Sequence, residues 1–163
     1  MTSGNADSDD PTDDDPTDAA LLAVARAMMA VSLRAAVTLP AGISPIQLRA
    51  LTVLSGLGQT NLADLGAALG MSPSSTSRLC DRLVAGGLVE RRTSPHTRRE
   101  VAVRLSGEGT RLLAGYDGHR LAELRAVLDS FGPRRRQEVL GALRDFGAAA
   151  RAADIAAGDP RVR

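Results

Sequence analysis

Apolar residues dominate the stretch from Ala19 to Leu39, and their density there predicts a helix that Pro40 and Gly42 bring to an end. A second helix should open at Ser44-Pro45-Ile46-Gln47. Ser44 stands as its N-cap, Pro45 at its first position, and Gln47 completes a capping box. Leu48, Leu51, Leu54 and Leu57 give that helix an apolar stripe, and Gly56 and Gly58 close it. A short helix follows, capped by Asn61, with Leu62, Leu65 and Leu69 inward and Gly70 as its stop. Ser72 caps and Pro73 starts the next one, which should run to about Ala85 before Gly86-Gly87.

The period then changes from helical to alternating. Leu88 to Arg92 and Glu100 to Leu105 predict two strands around Thr93-Ser94-Pro95-His96-Thr97-Arg98-Arg99, a hairpin with a basic loop. After Ser106 a long helical region resumes. Leu121, Leu124, Leu128 and Phe131 keep a helical spacing, as do Val139, Leu143, Phe146 and Ala150 after the Gly132-Pro133 break. Gly115 and Gly118 weaken its middle. Four helices, a two-stranded hairpin and two more helices describe a mainly α protein, a winged helix-turn-helix flanked by long N- and C-terminal helices.

Composition sharpens this reading at three points. Aromatics make up 2% of the chain and Trp is absent, so the core must be Leu, Val and Ala, which suits packed helices. Residues 1–18 hold seven Asp and no Arg, whereas residues 19–163 hold 20 Arg against twelve acids. The acidic leader should be disordered and solubilising; the alternative is that it mimics DNA charge and competes for a basic surface. Arg26 and Arg34 interrupt the first apolar run, which argues against membrane insertion and for a soluble, cytoplasmic protein.

The segment Met71 to Arg92 carries the candidate chemistry. On a helical wheel, Ser74, Ser75, Arg78, Asp81 and Arg82 fall on one side, and Thr76, Leu79, Cys80, Leu83 and Val84 on the other. Small hydroxyls at a helix N-terminus permit close approach to a phosphate or a base edge. Arg78, one turn in, can offer both donors of its fork to guanine. A solvated amphipathic helix would show the same wheel. The adjoining turn, the Gly-Gly stop and the basic hairpin favour double-stranded DNA as the partner. No Ser, His and Asp arrangement forms a nucleophile elbow, and neither His96 nor His119 has a partner at metal-ligand spacing. The expectation is therefore no enzyme, no metal and no cofactor. Cys80 reads as a core residue rather than a redox sensor, and Arg134 to Arg136 as a solvated face.

The run "NLADLGAALGMSPSSTSRLCDRLVAGGLVERRTSP", followed by "RREVAVRLSGEGTRLL", resembles the multiple antibiotic resistance regulator (MarR) family from Ile43 to Leu113. That resemblance implies a homodimeric transcription factor, read here as a repressor, that occupies a pseudo-palindromic operator and is released by a small-molecule effector. Together with the composition it divides the chain into a disordered tail over 1–18, dimerisation helices over 19–42 and 106–157, a winged DNA-binding domain over 43–105 and a tail over 158–163. Ser74, Ser75, Thr76 and Arg78 match the groove-facing positions, although the wheel turns Thr76 inward; Arg82 joins them from the wheel. Arg98 and Arg99 would serve the wing, with Arg99 in the minor groove. Thr97 stands where the family usually has Asp. With one Tyr and two Phe, an effector pocket would be mainly aliphatic. The tail's charge and the altered wing tip leave one competing reading, a winged-helix protein-interaction module that no longer binds DNA.

Overall fold

The structure, a computed structural model, describes residues 15–93 and 101–158. The expectations for the acidic leader before Asp15, and for His96, Thr97, Arg98 and Arg99 at the wing tip, lie outside the described residues. The elements are α1 (Pro16–Ala36), α2 (Pro45–Leu57), β1 (Thr60–Asn61), α3 (Leu62–Leu69), α4 (Pro73–Ala85), β2 (Val89–Thr93), β3 (Val101–Leu105), α5 (Gly107–Asp129) and α6 (Pro133–Gly158). They fall into two compact units, Met1–Asp117 and Gly118–Arg163.

Local chemistry explains where the helices begin. Asp15, Ser44 and Ser72 each accept a backbone N–H of the following turn, and each is followed by a proline already held at helical φ. At α2 the capping box is complete: Gln47 Oε1 accepts from the Ser44 N–H at 2.8 Å while Ser44 Oγ accepts from the Gln47 N–H. Hydrogen bonds from Thr17 hold the Asp15 carboxyl below its ordinary range. The first helix thus starts at Pro16, within the acidic stretch, and stops at Ala36, short of Leu39. In α2 the stop is Gly58, at φ +70°, whereas Gly56 lies inside the helix.

The sheet has three strands, not two. Its order is β1-β3-β2, all antiparallel, with Thr60 opposite Val103 and Val89 opposite Leu105. Asn61 closes β1 and also caps α3, its Oδ1 accepting from the Asp64 N–H at 2.8 Å. Two residues so employed leave no alternating pattern to read.

Leu51, Leu54, Leu65, Leu79, Leu83 and Val103 form the core of the winged part, with Cys80 among them. Burying each such aliphatic side chain contributes roughly 1.5–3 kcal/mol. A smaller cluster of Ala35, Leu113 and Tyr116, flanked by Leu39, Leu48 and Leu105, seats the C-terminal turns of α1 against α5. The Tyr116 hydroxyl donates to the Ser32 carbonyl at 3.4 Å. From Pro16 to Ala27 α1 stands exposed, including Leu21, Leu22 and Val24, and Met29 is exposed as well, whereas Val31 is buried. By length and composition α1 could cross a membrane, with a mean hydropathy of 1.6 over its most apolar window.

The second unit holds the end of α5 and α6. Arg136 links them, donating to the Leu128 carbonyl and pairing with Asp129 at 2.9 Å. No described residue of this unit is fully buried. Leu121, Val127, Leu143 and Phe146 are all exposed, Phe146 by 67%.

Candidate nucleic-acid interface

Helix α4 is amphipathic in the sense its sequence predicts. Leu79, Cys80 and Leu83 are buried; Ser74, Arg78, Asp81 and Arg82 are exposed, and Ser75 is half-buried. At its N-terminus three hydroxyls gather. Ser72 Oγ accepts from the Ser75 N–H, donates to Ser75 Oγ at 3.1 Å, and lies 3.4 Å from Ser74 Oγ.

Thr76 requires a correction. It is fully buried, and its hydroxyl donates to the Ser72 carbonyl at 3.0 Å. A Cβ on Gly66 of α3 would sit 2.9 Å from Thr76 Oγ1, so this side chain fills the crossing of α3 and α4. Its place is in the helix-turn-helix packing, as the wheel indicated, and not on the outer face.

The charges on α4 are unevenly matched. Its sole acid, Asp81, pairs with Arg91 of β2 at 2.7 Å. Arg91 stands opposite Val103 and so shares the helix-facing side of the sheet. On the other side Arg104 donates through Nε and Nη2 to Glu90 Oε2, at 3.1 and 2.8 Å. Arg78 and Arg82 have no acidic partner among the described residues. The face therefore presents two uncompensated guanidinium groups beside a helix N-terminus rich in hydroxyls. Both favour an anion, the first by charge and the second by unpaired N–H groups.

Sequence reasoning missed the Asp81–Arg91 pair. Both residues stand within the "SRLCDRLVAGGLVER" run, but their contact depends on how the Gly86-Gly87 turn folds the chain back. Of the three arginines at the start of α6, which the sequence assigns to a solvated face, Arg134 and Arg135 are exposed and Arg136 is half-buried, and all three are locally paired. Arg134 and Arg135 pair with Glu138, and Arg136 with Asp129, so intrahelical and helix-end contacts account for them. Burial pushes the Cys80 thiol upward, the nearby Arg91 charge opposing, which keeps it protonated and unreactive near neutrality.

Comparison with known proteins places this geometry. Residues 41–100 match the MarR family. The crystal structure of RV1404 from Mycobacterium tuberculosis is 33% identical, with a TM-score of 0.74 over 90% of this chain and 98% of that one. A MarR family protein from Bacillus stearothermophilus is 25% identical, with a TM-score of 0.72 over 82% of this chain and 92% of that one. An uncharacterized HTH-type transcriptional regulator of Bacillus subtilis, YfiV, is 30% identical over 57% of this chain. The chain spans 58% and 61% of the lengths of the two curated Bacillus subtilis relatives it matches. The matched segment runs from before α2 to the hairpin and includes the whole of α4, and the chain belongs to the MarR family.

Proposed function

We propose that the protein is a cytoplasmic DNA-binding transcriptional repressor that occupies a pseudo-palindromic operator as a homodimer. The observation that carries this reading is the outer face of α4, where Arg78 and Arg82, without an acidic partner among the described residues, stand beside the Ser72, Ser74 and Ser75 hydroxyls. In the major groove the hydroxyls approach the backbone, Arg78 offers its fork to a guanine edge, and Arg82 neutralises a phosphate. Arg98 and Arg99 are the candidate contacts to the adjacent minor groove, whose negative potential draws arginine in.

Dimerisation follows from the exposed apolar residues of α1, α5 and α6. Met29 at 65% and Phe146 at 67% exposed belong to helices that a second copy can cover. Two copies related by a two-fold axis would place two α4 helices in successive turns of the major groove. A small-molecule effector would favour a dimer whose α4 spacing no longer fits the operator, releasing it by population shift.

Selection from a random-sequence duplex pool tests the reading. A two-fold symmetric consensus, bound far more tightly than its scrambled version, is the expected result. Failure to enrich any sequence, with only weak salt-sensitive binding, would refute it and favour the protein-interaction module.

A further inference from the structure

We propose that Ser106 is a positioning residue for α4, fixing the angle at which that helix is presented to DNA; this rests on the DNA-binding reading above. Helix α4 ends in a Schellman loop. The Gly87 N–H donates to the Val84 carbonyl and the Leu88 N–H to the Leu83 carbonyl, both at 2.9 Å, with Gly87 at φ +71°. Leu83 and Leu88 are buried in one cluster, the apolar contact that accompanies this motif.

The carbonyls of Gly87 and Leu88 both go to one residue far along the chain. Ser106 Oγ donates to the Gly87 carbonyl at 2.6 Å, and the Ser106 N–H donates to the Leu88 carbonyl at 3.0 Å. The same Oγ accepts from the Gly109 N–H at 3.0 Å and so caps the first turn of α5. A hydroxyl has a single proton, so its donor is committed to the loop and its acceptor side to the helix. At 9% exposed, Ser106 leaves little room for water to replace either bond. Leu88 lies so close to Gly109 that any Cβ there would collide with the Leu88 carbonyl. The end of α4 and the start of α5 are fastened through one residue, whose backbone N–H holds Leu88 and whose hydroxyl joins Gly87 to the first turn of α5.

This fastening bears on sequence discrimination more than on attraction to DNA. Arg78 lies nine residues before Gly87, about 13 Å along the helix axis, so a tilt of about 5° at the loop moves it by about 1 Å. A shift of that size breaks a forked contact to a base edge, whose geometry tolerates only a few tenths of an ångström. Attraction to phosphates declines slowly with distance and survives it.

The test compares Ser106→Ala, Ser106→Asp and Ser106→Thr on a duplex selected by the wild-type protein and on a scrambled duplex of the same composition. Asp caps a helix as well as Ser does but has no proton for Gly87, so it separates capping from fastening. Ala and Asp should each lose about tenfold or more on the selected duplex, about 1.4 kcal/mol, while binding to the scrambled duplex stays within about twofold. Thr, which keeps the hydroxyl, should restore discrimination. Wild-type discrimination in Ser106→Asp would reduce Ser106 to a cap and overturn the proposal. So would unfolding of both Ala and Asp, which would assign the hydroxyl to stability. If the wild-type protein selects no sequence, it is the DNA-binding reading that fails.

Discussion

Arg78 and Arg82 have nothing acidic to hold among the described residues, while Asp81 between them is taken by Arg91. Arg78 should therefore specify. Arg78→Ala is expected to cost ~1–3 kcal/mol on a selected operator and less on random DNA. Arg99→Ala should weaken all sequences evenly and reduce the salt slope by about one unit, since minor-groove attraction is largely electrostatic. Binding isotherms for both variants at several salt concentrations decide this; equal losses for Arg78→Ala on both duplexes would show that α4 does not read bases. Cys80 gives a prediction of opposite character. Its raised pKa means that the unfolded chain ionises first as pH climbs past about 8.5, so stability falls there and is unaffected below. Cys80→Ala should remove that part of the alkaline slope in thermal melts. Peroxide should release DNA from neither wild type nor Cys80→Ser, and reversible release from wild type alone would reverse the assignment. At this scale the helical wheel was a sound guide to Thr76, and the family pattern was not, because periodicity reports burial whereas a motif position reports only resemblance.

Helix ends were the most legible elements. Ser44-Pro45, Asn61, Ser72-Pro73 and Gly70 act on neighbours within three or four residues, so their signals are complete in the local sequence. Asp15-Pro16 carries the same signal, but it sits in an acidic run whose composition pointed to a tail. The strand β1 and the bonds of Ser106 were illegible for a different reason: each depends on a partner far along the chain, Val103 for Thr60 and Gly87 for Ser106. Glycines of like appearance also divide by what surrounds them. Gly66→Ala should destabilise by about 1–3 kcal/mol, because Thr76 Oγ1 at 2.9 Å is pinned by its own hydrogen bond and cannot yield. Gly56→Ala, with nothing within 4 Å, should instead stabilise by about 0.5–1 kcal/mol through helix propensity. Denaturant midpoints of the two variants should move in opposite directions; a shared direction would contradict the packing described for the α3–α4 crossing.

For the whole molecule, the apolar residues of α1 and α6 weigh against a free monomer. Leu143 and Phe146 lie three apart on α6, and both are exposed. In a monomer, Leu143→Asp would replace one exposed apolar group by a charged one and do no harm. In the proposed dimer it should give a monomer or insoluble protein, and the melting temperature of wild type should rise with concentration. Light scattering at micromolar concentration checks the first and thermal melts at several concentrations the second, a soluble wild-type monomer being the contrary result. The long helices were legible as elements, and their apolar spacing was too; what meets those faces was not, since a periodic pattern records which side of a helix is apolar and not what covers it.

Tyr116 is the only tyrosine in a chain without tryptophan, and it is buried where the last turns of α1 meet α5. Its hydroxyl reaches the Ser32 carbonyl across that junction. With its two Phe emitting only weakly, the chain carries one strong intrinsic fluorophore, already placed at one mechanical joint. Any loosening of α1 from α5 should change its emission and quenching, so that motion can be followed optically without attaching a label.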